Sequence, residues 1–242
     1  MKTTESIQTS DGIFEYELLR KDIKNLHISV YPPTGIIRVS APKAFDKTKI
    51  ESSLLRKMNW IRKQRKLLVE QSRQTPRKAV SGEDYYLNGR RLQLFVEIGG
   101  KRGKVEVKGN KLMLFIDPTS NEETKLRCLD RWYRSELLKE LNALVPELMQ
   151  QTKIQANSWK IRKMKARWGS CRRPEKEITI NTELVKKSSV CLRYIVIHEL
   201  VHIIEPTHNA RFIELMDLHL PTWRSIRSTL NSQPLAYASW DY

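Results

Sequence analysis

From Leu26 to Ala41 the chain alternates. Leu26, Ile28 and Val30 are apolar, with His27, Ser29 and Tyr31 between them, and Ile37, Val39 and Ala41 resume the pattern after "PPTG" at 32–35. A period of two interrupted by turn residues predicts a hairpin with one buried face. Over 46–71 the period changes, and Ile50, Leu54, Met58, Ile61 and Leu68 recur at helical spacing, which predicts one helix. Residues 72–80, "SRQTPRKAV", read as a linker. Residues 85–116 read as a strand meander, with Asn88-Gly89 as a hairpin turn and further turns at the glycines 99, 100, 103 and 109. We expect this meander to join the first hairpin in one sheet. Helical spacing returns from Asn121 to about Met149, where Leu126, Leu129, Trp132, Tyr133, Leu137 and Leu141 form the stripe. Two short strands follow, "SWKIRKM" and "EITIN", separated by "KARWGSCRRPEK". Ser188 or Ser189 caps the helix "VCLRYIVIHELVHII", and Pro206, which has no N–H to donate, stops it by Glu205. "ARFIELMDLH" and "TWRSIRSTL" are two further short helices. The expected class is α+β: a β-rich N-terminal region over 1–118, then a mainly helical domain with a small sheet over 119–242.

Composition narrows this picture. Hydrophobic residues make up 40% of the 242, enough for a packed core. "MKTTESIQTSDG" has no apolar leader, and no run approaches the ~18 apolar residues of a membrane span. Cys128, Cys171 and Cys191 are odd in number and widely spaced, so no disulfide framework is expected and a cytoplasmic location fits. Lys and Arg number 44 against 27 Asp and Glu, a formal charge of +17. That excess makes non-specific DNA a candidate partner. Arg62 and Arg65 on the first helix, and Arg172 and Arg173 beside "WGSC", are the candidate contacts. The plainer reading of these residues is a solvated basic face.

The chemistry concentrates in "HELVHIIEPTH", residues 198–208, which holds three of the five histidines. His198 and His202 are four apart, so on a helix they share a face and can bind one metal ion. Glu199 is rotated off the ligand direction yet within reach of a water on that ion, as a general base must be. The break at Pro206 lets the chain fold back and offer His208 as third ligand. Glu205 and Glu214 are alternatives with no geometric argument in their favour, and His27 and His219 read as surface residues. The competing reading is an amphipathic helix that happens to carry histidines. Burying His, Glu and His beside "YIVI" without a metal would cost several kcal/mol, which argues against it. One zinc ion per chain is expected. In "RWGSC", Trp168 and Cys171 could pack under the metal. A thiolate beside three histidines would close the site, so we read the stretch as a structural turn.

These blocks together resemble the YgjP-like predicted metal-dependent hydrolases, relatives of the WLM and SprT-like zinc metallopeptidases. "RVSAPKAF", "NWIRKQRKLL", "SGEDYYLNGRRLQL", "ARWGSCRRPEKEITINTEL" and "YIVIHELVHIIEPTHNARF" carry the resemblance over almost the whole chain. It implies a zincin-type domain, zinc on His198, His202 and His208, Glu199 as catalytic base and a protein or peptide substrate. This chain departs in having Thr207 where relatives often carry Asn, which leaves open how the turn before His208 is held. By analogy with zincin-type folds, "EITIN" is the candidate substrate-binding edge, through Ile178 and Ile180. Two other readings stand beside peptide hydrolysis: a nucleic-acid-binding module with a structural zinc, and a metal-dependent hydrolase acting on another substrate.

Overall fold

In a computed structural model, residues 2–9, 12–31, 35–70, 77–99, 103–164 and 167–232 are described, without the side chains of 67–70. Residues 32–34 of the expected "PPTG" turn, 72–76 of the expected linker, Gly100 and the side chain of Leu68 lie outside that set. The α+β class holds, in two compact units, the chain being divided between residues 72 and 73.

The first unit begins with β1 (Lys2–Thr9), β2 (Gly12–Lys21), β3 (His27–Tyr31) and β4 (Ile36–Pro42), ordered β1-β2-β4-β3. The expected hairpin is β3–β4, antiparallel with Val30 opposite Ile37. The sequence reading missed β1 and β2, although Phe14, Tyr16 and Leu18 alternate with Glu15 and Glu17. The expected single helix is two, α1 (Lys47–Arg56) and α2 (Met58–Glu70). Asp46 caps α1 by accepting from Lys49 N at 2.7 Å, and Lys57 turns out of helical geometry between the two. Tyr16, Leu18, Ile37, Val39, Ile50, Leu54 and Ile61 form this unit's own core.

The second unit opens with β5 (Asp84–Leu87), β6 (Arg90–Ile98), β7 (Lys104–Lys108) and β8 (Lys111–Ile116), ordered β5-β6-β8-β7. Asn88 and Gly89 make the β5–β6 turn with positive φ values of 50° and 78°, the backbone a tight hairpin demands. These strands form a sheet of their own and do not join the first hairpin. Leu92, Leu94, Leu112 and Leu114 instead share a core with the helices that follow, so the boundary falls near 72 and not at 118. Both four-stranded sheets have the same plan, two antiparallel outer pairs around a parallel central pair.

The rest of the second unit builds the site. The long helix α3 (Glu122–Thr152) buries Leu129, Tyr133, Leu137, Leu141 and Val145. A small sheet follows, from β9 (Ser158–Arg162), β10 (Gly169–Arg172) and β11 (Glu177–Asn181), ordered β10-β11-β9. "GSCR" is thus a strand, not a turn. A short 3-10 turn (Thr182–Lys186) leads to α4 (Ser189–Ile204), α5 (Ala210–His219) and α6 (Trp223–Ser232). No described helix is long and apolar enough to cross a membrane.

One correction concerns expected site residues. β11 lies at the centre of its sheet, and Ile178 and Ile180 are fully buried, so "EITIN" offers no free edge. The outer strand beside it is β10. Asn181 N donates to Trp168 O at 2.9 Å, which makes Trp168–Asn181 a hydrogen-bonded pair. Bonding alternates along an antiparallel ladder, so the main-chain groups of Gly169 and Cys171 point away from β11.

Candidate metal centre

α4 is a hydrophobic helix because it runs through the core. Val196, Ile197, Leu200 and Val201 are all fully buried. Its polar residues therefore need a local reason to be there. His198 and His202 lie one turn apart on its surface. At Glu205 the backbone becomes extended, its N–H still donating to Val201 O at 2.9 Å, and Pro206 follows. Thr207 N and Oγ1 donate to Glu205 Oε1 at 3.2 and 3.0 Å, which closes the turn that brings His208 back. That answers how Thr207 holds the turn. It also occupies the Glu205 carboxylate, which is held below the usual carboxylate range by Thr207, Asn209 and Arg211 despite some opposing burial.

The three Nε2 atoms form a near-equilateral triangle: 3.2 Å from His198 to His202, 3.2 Å from His198 to His208 and 3.0 Å from His202 to His208. One proton can serve only one edge of such a triangle, whereas a central cation uses all three lone pairs. A tetrahedral ion with ligands at 2.0–2.1 Å would space them by about 3.3 Å. The donor set therefore fits a divalent metal. Among the described residues this is the one such cluster, and Glu214 and His219 are not part of it. His202 Nδ1 donates to Glu205 O at 3.0 Å, a bond that leaves Nε2 free to ligate. His198 Nδ1 is buried without a hydrogen-bond partner. Burial, then His202, His208 and Arg227, push the His198 pKa down to about 3 and keep the ring neutral, the form that binds metal.

Other side chains surround the cluster, and sequence reasoning missed Phe212 among them. The Phe212 ring, almost fully buried, lies 5.0, 4.8 and 4.6 Å from the rings of His198, His202 and His208 and forms their apolar floor. It stands four residues beyond His208, where Asn209 caps α5 by accepting from Phe212 N at 3.0 Å. Tyr194 meets His198 edge-on at 5.8 Å and stacks at 6.5 Å on Trp223 of α6.

Glu199 points from α4 toward β10 and is only 4% exposed. Burial pushes its pKa up to about 8, against a lowering pull from Arg167. A carboxyl so placed can take up a proton and give it back near neutral pH. Cys171, two residues along β10 from Gly169, is pushed up to about 11 by burial and by Glu199, which makes it a poor thiolate.

The arginines expected on DNA are placed differently. Arg173 donates through Nε to Ile203 O and through Nη2 to Ile204 O, both at 3.1 Å, and so caps α4. Arg65 lies 5.3 Å from the Phe14 ring, Arg62 also has an interaction partner, and Arg172 is exposed.

Comparison with known proteins matches residues 24–233 to the family described as YgjP-like, metallopeptidase domain. No curated protein matches the chain. Two solved metallopeptidase zymogens are partly similar. Abylysin of Pyrococcus abyssi is 19% identical with a TM-score of 0.35, over 39% of this chain and 99% of its own. Jannalysin of Methanocaldococcus jannaschii is 22% identical with a TM-score of 0.34, over 37% and 92% respectively. The comparisons lend the DNA reading no support.

Proposed function

The chain belongs to the YgjP-like metallopeptidase domain family, and from that premise we propose a zinc-dependent peptidase with Glu199 as its general base. The observation that carries the reading is the triangle of His198, His202 and His208 Nε2 atoms, 3.0–3.2 Å apart, one residue along the helix from a buried carboxyl. Three imidazoles that leave one position open favour zinc, one ion per chain. A bound zinc ion would supply Lewis acidity toward the scissile carbonyl and bring the pKa of a water into the neutral range. Glu199 then accepts the proton of the attacking water and returns it to the leaving amine. The position of β10 at the edge of its sheet supports a protein or peptide substrate: the main-chain groups of Cys171, which point away from β11, can pair with an extended chain near Glu199. The three free cysteines favour a reducing, cytoplasmic setting.

The test is Glu199→Gln assayed on a mixture of internally quenched fluorescent peptides. Hydrolysis should fall by roughly 10²–10⁴-fold while zinc, measured by elemental analysis, stays near one per chain. Loss of metal along with activity would make Glu199 a ligand, and undiminished hydrolysis would remove it from the reaction.

A further inference from the structure

"WGSC" has an explanation in what surrounds Gly169. A Cβ built there would lie 2.6 Å from Glu199 Oε1, 2.8 Å from its Cγ and 2.9 Å from its Cδ. Carbon atoms in ordinary contact stand about 3.5–4.0 Å apart. The obstruction meets Cγ as well as the tip, so turning the carboxylate alone would not relieve it. Every other described glycine has a positive φ, which is reason enough for glycine there; Gly169 does not. Space alone excludes a side chain at 169.

The hairpin that carries Gly169 has little freedom to retreat. Gly169 pairs with Ile180, and Asn181 holds the preceding residues through Nδ2 bonds to Met164 O and Arg167 O at 2.9 and 2.8 Å. At its other end, Arg173 ties the hairpin to the last turn of α4. Glu199, for its part, makes no hydrogen bond within the protein among the described residues, and its carboxylate is therefore located by packing. A base held this way keeps both oxygens available for a proton.

We propose that Gly169 is a positioning residue for the peptidase reaction: its missing side chain creates the slot against β10 in which the Glu199 carboxylate lies. This rests on the reading of Glu199 as base. A methyl group at 169 would push the carboxylate out of the slot and leave the histidines untouched. A displacement of about 1 Å can cost 10²-fold in rate.

The experiment is a double-mutant cycle of wild type, Gly169→Ala, Glu199→Ala and the double variant, each purified and loaded with zinc. Gly169→Ala in the wild-type background should keep one zinc per chain, lower kcat on the quenched peptides by about 100-fold with KM little changed, and lower the melting temperature by roughly 2–10 °C. With Glu199→Ala the slot is vacant, so Gly169→Ala should cost neither residual activity nor melting temperature. Turnover retained in Gly169→Ala, or an equal melting penalty in both backgrounds, would overturn the proposal. Full hydrolysis by Glu199→Gln would instead remove the base assignment. The melting cycle reads the contact without any substrate, so the two failures are distinguishable.

Discussion

A neutral imidazole offers one lone pair, and which nitrogen carries it is decided by the bond at the other. For His202 that bond is to Glu205 O, so the residue that ends α4 also turns the ring. His202→Ala should therefore remove a ligand and unfasten the turn to His208. We expect zinc per chain to fall from near one to well below half, measured by elemental analysis after dialysis. The candidate ligands were legible in the sequence because their relation is local: two positions one helical turn apart, and a proline that obliges the chain to turn. Gly169 was not legible in the same way. A glycine in a strand announces a close approach but not to what, and Glu199 lies 30 residues further along the chain. Phe212 was hidden differently, since an apolar residue in a short amphipathic helix reads as core, and it is core, with the three histidines as its neighbours.

Among the elements, those with one wet face were the most readable. β3, β4, α3, α5 and α6 each show a clean period, and the spans observed lie close to those expected. "EITIN" misled because it alternates Ile178 and Ile180 with polar residues, which mimics a half-exposed strand. Thr179 and Asn181 are in fact also buried, each only 4% exposed. Asn181 is tolerated there because its side chain is fully bonded: Nδ2 to Met164 O and Arg167 O, Oδ1 from Met164 N and Glu183 N. It thereby fixes both ends of the loop that enters β10. Asn181→Ala would leave two carbonyls and two N–H groups to find new partners. We expect it to destabilise the second unit by about 2–4 kcal/mol in urea melts, counting roughly 1–3 kcal/mol for each buried group left unsatisfied and allowing for partial relaxation. A loss under 0.5 kcal/mol would mean that the loop holds itself. The division of the long helix at Lys57 was beyond the pattern, because Ile50, Leu54, Met58 and Ile61 keep their spacing through the break.

For the whole molecule, the overall class followed from the order of periods along the chain, strands before helices, but the partition did not. Two successive groups of strands can extend one sheet or close two, and the choice depends on which apolar faces meet. That information lies in contacts between Leu92, Leu94, Leu112 and Leu114 and helices far along the chain. The separate cores have a thermal consequence. All three metal-binding histidines belong to the second unit, and a metal that binds only the folded form stabilises it by an amount set by its concentration over its dissociation constant, about 2.7 kcal/mol at a hundredfold excess. None of that stabilisation acts on the core formed by Tyr16, Val39 and Leu54. Scanning calorimetry with and without a chelator should thus resolve two endotherms, of which only the larger moves down when metal is withdrawn. The metal supply then sets how far the unfolding of one unit stands from that of the other on heating, so that resistance to heat is tied to the metal in one part of the chain and indifferent to it in the rest.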